Sequence, residues 1–116
     1  MRIHNLYVDP EGETHFRDIE VEWSARLDWG TLSTRLPATG MTFVEAVGGY
    51  DMGWHPAPCR QYVIILQGRV EVTASDGERR TIAVGEVVLV EDTNGKGHRT
   101  RILDSNQHRA IFVPVD

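Results

Sequence analysis

Apolar residues recur at every second position in several short runs of the chain. Ile19, Val21 and Trp23 alternate with Asp18, Glu20 and Glu22. Phe43, Glu45 and Val47 oppose Thr42, Val44 and Ala46, and Val70 and Val72 alternate with Arg69, Glu71 and Thr73. Period two sends successive side chains to opposite faces of a β-strand. Val87–Val90 is an unbroken apolar run instead, as expected for a strand buried on both faces. No segment has a convincing helical period. Ser75-Asp76-Gly77 joins a strand over 69–74 to one over 79–84, and its Asp-Gly pair suits a tight hairpin turn. Gly48-Gly49 breaks the strand before Trp54. Asn94-Gly95-Lys96-Gly97 reads as a flexible loop leading into His98. A closing strand is expected over 111–115, with Pro114 placing it at a sheet edge. Residues 1–40 are expected to supply an arm with one or two outer strands, and residues 41–116 a barrel core. Short strands at this spacing predict an all-β sandwich or barrel.

Length and composition fit one domain with its own core. The chain has 116 residues, 41% of them hydrophobic and 25% charged. Twelve basic residues against seventeen acidic ones leave a net charge of −5, which argues against a nucleic-acid partner. Arg79-Arg80 is offset by Glu78, so it reads as a solvated turn. The single cysteine, Cys59, allows no intramolecular disulfide. The N-terminal residues do not resemble a signal peptide, and no stretch approaches the roughly 20 apolar residues of a membrane span. A cytoplasmic protein with no membrane partner is therefore expected.

Two histidines frame the most informative stretch. Gly53, His55, Gln61 and Gly68 form a first group, and Gly85, Gly95 and His98 a second. This layout resembles the cupins. Their first motif runs from a Gly through His-x-His to a Glu and a closing Gly, and their second from Gly through a Pro-x-Gly turn to a His. Here Ala57 stands at the second histidine position, Gln61 at the glutamate, Thr93 at the proline and Ile102 at a customary asparagine. The surrounding residues also look like a subgroup of small stand-alone cupins. The resemblance implies a cupin double-stranded β-helix, or jelly-roll barrel, that brings His55 and His98 together. It implies a divalent metal ion (Zn, Fe, Ni or Mn) on His55, Gln61 and His98, a small-molecule ligand or substrate in the barrel, and a homodimer.

The residues themselves leave alternatives open. His55, Ala57, Gln61, Val63 and Ile65 share one parity, so a continuous strand would point them all to one face. On that face His55, Gln61 and His98 either hold an ion through imidazole nitrogens and an amide oxygen, or form a hydrogen-bonded cluster around water. Glu45 either completes the set, as third ligand or general base, or is an exposed charge on an outer strand. His55, His98 and Glu45 are thus the candidate catalytic residues. Trp54 is a candidate cavity wall, Cys59 a small buried hydrophobe and Arg60 a surface ion pair. Glu91 and Asp92 read as loop residues that cap a turn or pair with Lys96 or Arg99. His4, His15 and His108 have no motif around them and read as surface or satisfied core residues. The resemblance to the cupins implies a metal-dependent enzyme, an oxygenase, isomerase or lyase. The alternatives are a metal-free acid–base isomerase or epimerase, and a binding or sensing module without turnover.

Overall fold

In the computed structural model, residues 1–104 and 107–115 are described, and the alternating runs become twelve strands with no helix among those residues. In chain order they are β1 (Arg2–Val8), β2 (Thr14–Glu20), β3 (Trp23–Leu27), β4 (Gly30–Ser33), β5 (Thr42–Ala46) and β6 (Asp51–His55). There follow β7 (Gln61–Gln67), β8 (Val70–Ala74), β9 (Arg79–Ile82), β10 (Val87–Val90), β11 (His98–Ile102) and β12 (His108–Pro114). One six-stranded sheet has the order β2-β1-β10-β7-β12-β5, and a four-stranded sheet the order β6-β11-β8-β9. The inner faces of the two sheets enclose the core. Leu6, Ile65, Ile82 and Ile102 are its largest fully buried apolar side chains, with Ala74, Val88 and Val90 packed among them. The 75–77 turn joins β8 to β9 as expected.

The N-terminal region is more central than an arm. β1 lies inside the main sheet, antiparallel to β2 and parallel to β10, so Leu6 is fully buried. Its polar centre, Asn5, is also fully buried. There it donates to Leu89 O at 3.0 Å and to Glu91 Oε1 at 2.8 Å, and accepts from Arg17 Nε at 2.6 Å. β3 and β4 form a separate two-stranded sheet whose β3 is exposed along its length, Trp23 included. β12 is not an edge strand, since it lies between β7 and β5. Pro114 is tolerated because it lies beyond Phe112, the last residue with a β5 partner.

Three loops are tied together at one end of the barrel. Lys96 pairs with Glu13 at 2.8 Å, Ser75 Oγ donates to Glu13 Oε2 at 2.8 Å, and Lys96 N donates to Gly12 O at 2.9 Å. Residues 94–97 are therefore anchored, not free. His15 is clamped between Asp9 and Asp76, each ring nitrogen 2.7 Å from a carboxylate oxygen. Both partners accept, so the charged imidazolium is favoured. Asp9, and then Asp76, hold its pKa above the usual histidine range, and the same contact lowers that of Asp9. A group with a raised folded-state pKa contributes stability below its unfolded value of about 6.5 and loses it as pH rises through the folded value. The Asp9 contribution has the opposite sign and is lost in acid. Urea midpoints should therefore fall as pH rises from about 6.5 through the raised His15 value, and His15→Gln should flatten that limb. An equal slope in the two proteins would show that the clamp adds nothing.

Candidate functional site in the barrel cavity

The site begins with a close approach of backbone. Gly97 has φ 75°, and a Cβ there would lie 2.3 Å from the carbonyl carbon of His55 and 2.4 Å from its oxygen. Only glycine lets the loop pass so near. One residue later β11 begins, with His98 paired to His55 of β6 on one side and to Ala74 of β8 on the other. The two imidazoles stand 4.7 Å apart between centroids, tilted by 54°. Outside the barrel, Arg99 grips Asp51 with hydrogen bonds to both carboxylate oxygens, which fastens β6 to β11. That guanidinium, with the Gly53 N–H, holds the Asp51 carboxyl down to about 2.

Each ring is oriented through its Nδ1. His98 Nδ1 donates to Oδ2 of the fully buried Asp92 at 2.5 Å. His55 Nδ1 donates to the carbonyl of Gly53 at 2.9 Å. A carbonyl only accepts, so the proton of His55 is on Nδ1, and a carboxylate places the His98 proton likewise. The neutral form of each ring then carries its lone pair on Nε2. The Asp92 loop is itself pinned. Ala57 N donates to Asp92 O at 2.9 Å and Glu91 N to Leu6 O at 2.7 Å, while Arg60 pairs with Glu91 at 2.8 Å. One oxygen of Asp92, Oδ1, is buried without a partner.

The rings line a cavity of about 470 Å³ between the sheets, within the size range of small-molecule pockets. Its walls are mainly apolar, with Val63, Ile65, Val72, Val88 and Phe112 among them. His55, Ala57, Gln61, Val63 and Ile65 all line it, so the shared parity holds across the irregular 56–60 segment. Gln61 is buried, and its Oε1 accepts from Cys59 Sγ at 3.5 Å. Cys59 is half-buried at the edge of this group. For a metal ion the chain offers two imidazole nitrogens and one neutral amide oxygen. Among the described residues no group of three histidine, cysteine or carboxylate side chains is suited to an ion. That donor set is too poor for a tightly retained ion and suits an exchangeable one.

Glu45 does not join the site. Val44 and Ala46 line the cavity, so Glu45 points outward with Phe43 and Val47 and pairs with Arg109 at 2.8 Å, its side chain 57% exposed. Trp54 is not a cavity wall. It is 53% exposed and lines a shallow outer groove with Arg99 and Arg101. Lys96 and Arg99 pair with Glu13 and Asp51, so Glu91 and Asp92 are free for their inner partners. Two functional candidates have no counterpart in the sequence reading. One is Asp92 as the orienting group of His98. The other is His108, a buried residue of the cavity wall. His4, in contrast, is a satisfied core residue, 3.1 Å from both Glu86 and Arg80, and burial lowers its pKa.

No family model and no curated protein matches the chain. Among solved structures, the cupin domain of Cnp3 from Schizosaccharomyces pombe is similar at a TM-score of 0.54 and 18% identity, over 99% of this chain and 84% of that one. A cupin domain from Bordetella pertussis is similar at 0.51 and 12% identity, over 99% and 93% of the two chains. Protein NMB1881 from Neisseria meningitidis is similar at 0.50 and 25% identity, over 66% and 72%. At such identities the likeness is one of fold. With its two facing main sheets, its order of strands and the meeting of His55 with His98, the chain is a small all-β protein of the cupin jelly-roll fold.

Proposed function

We propose that the barrel takes up a small, largely apolar organic molecule and moves a proton on it, with His98 as the base. The observation that carries this reading is the 2.5 Å contact between His98 Nδ1 and the buried Asp92. A carboxylate behind an imidazole fixes the tautomer that presents Nε2 and stabilises the imidazolium formed when Nε2 takes a proton. In an apolar cavity that electrostatic support is stronger than in water. For a substrate with a C–H next to a carbonyl, His98 Nε2 takes the proton and the electron pair moves into the carbonyl oxygen as an enolate. Where the carbon that lost the proton carries a hydroxyl, passage of the hydroxyl proton to the enolate oxygen and return of the proton from His98 to the former carbonyl carbon complete an isomerisation. His55, in ring contact with His98, positions the reacting group.

A second reading rests on the two free Nε2 atoms. With Gln61 Oε1 they suit a weakly held divalent ion, Zn, Fe, Ni or Mn, whose chemistry would be to polarise a bound oxygen.

The test is solvent exchange. A panel of small apolar ketones and hydroxyketones is incubated in D₂O, and loss of the α-proton is followed by NMR with and without chelator. The expected result is exchange on at least one member, insensitive to chelator and lost in His98→Ala. Exchange that chelation abolishes would favour the ion. No exchange on any member that binds would leave a binding module without turnover.

A further inference from the structure

The proton-transfer reading leaves the buried His108 of the cavity unused. His108 opens β12, is 5% exposed and lines the same cavity as His55 and His98. Its Nδ1 is buried without a hydrogen-bond partner. That nitrogen faces Gly68: a Cβ built there would lie 3.2 Å from His108 Nδ1 and 3.1 Å from Asp104 Oδ2. Gly68 follows the last residue of β7, and Gln61 is the first. Seven strand residues separate these ends by about 20 Å. The cavity therefore has a polar pole at each end and apolar walls, with Val63 and Ile65 on β7 between them.

The chemistry of the second pole is restrictive. Burial lowers the pKa of His108 against the opposing pull of Asp104 and the Gln67 carbonyl, so its ring is neutral near pH 7. A neutral imidazole carries one N–H and one lone pair, so it can exchange a hydrogen bond with an uncharged ligand group. A neutral ring beside a carboxylate offers nothing to an anion. A hydroxyl or amide N–H can donate to it.

We propose that His108 is a second recognition point, exchanging a hydrogen bond with an uncharged group at the tail of an elongated ligand whose other end lies at His55 and His98. The ligand class is thus a neutral molecule with an apolar body and a hydroxyl at the far end. This inference rests on the reading of the cavity as a ligand site.

Linear α,ω-diols of hexane to decane length, and primary alkanols of the same lengths, serve as probes. NMR titration of the labelled protein gives each Kd and shows which rings respond. At the best-fitting length the diol should bind about tenfold tighter than its alkanol, the factor expected of one well-made hydrogen bond, and should shift the His108 ring signals. His108→Leu should erase the difference between diol and alkanol. His108→Gln, which keeps a hydrogen-bonding side chain, should restore part of it. Equal binding of diol and alkanol, with shifts at His55 and His98, would overturn the role of His108 and leave the cavity reading standing. Failure of every probe to bind would overturn both.

Discussion

Gly97→Ala is expected to destroy the site and to cost the fold more than any other single methyl group at a loop glycine. Two effects add. A non-glycine residue at φ 75° carries a backbone cost of about 1–3 kcal/mol. The new Cβ would also stand 2.3 Å from the His55 carbonyl carbon, and that neighbour is backbone, which has no rotamer to yield. Relief requires the 94–97 loop to move away from β6, and that separates His98 from His55. For a domain whose total stability is of the order of 5–15 kcal/mol, a loss of about 3 kcal/mol or more should lower Tm by roughly 10 °C. Gly49→Ala is the control. It has a comparable φ of 77°, yet its added Cβ meets nothing within 4 Å. Thermal melts of the two variants separate backbone strain from collision. Equal losses would mean that the close approach at His55 is unimportant.

Asp92→Asn should leave the barrel folded and disable its chemistry. The amide has nearly the same shape and fills the same buried space. If its NH₂ faces His98, Nδ1 becomes the acceptor and the proton moves to Nε2, so the cavity loses its base. If its oxygen faces His98 the tautomer survives, but the negative charge that supports the imidazolium is gone. Either orientation should lower exchange of α-protons by about a hundredfold or more, within the range that general base catalysis supplies. Asp92→Ala is the harsher change, because it strands a buried N–H at a cost of about 1–3 kcal/mol. Exchange rates of the Asn variant within twofold of the parent would remove Asp92 from the mechanism.

The cavity face of residues 55–65 was legible because His55, Ala57, Gln61, Val63 and Ile65 share one parity, and all of them line the cavity. β5 was harder to read. Phe43 and Val47 are as apolar as Val44 and Ala46, so alternation alone does not say which set turns inward. The structure buries the smaller pair beside Phe112 and leaves the larger pair exposed on an edge strand. β1 was obscured by its polar centre, since Asn5 reads as surface until Arg17 and Glu91, distant in sequence, are seen to satisfy it. Asp92 and His108 carry no local signal for the same reason. The partner of Asp92 lies across a glycine turn that sequence alone presents as flexible, and the place of His108 in the cavity depends on the pairing of β12 with β5 and β7.

Both functional readings of the site depend on the Nε2 lone pairs of His55 and His98 being presented to the cavity. Long-range ¹⁵N–¹H correlation of the histidine side chains, recorded at alkaline pH, reads this directly. The expected spectrum has the proton on Nδ1 of both His55 and His98, with Nε2 unprotonated. A proton on Nε2 of His98 would contradict the orienting role of Asp92 and with it the assignment of His98 as the base.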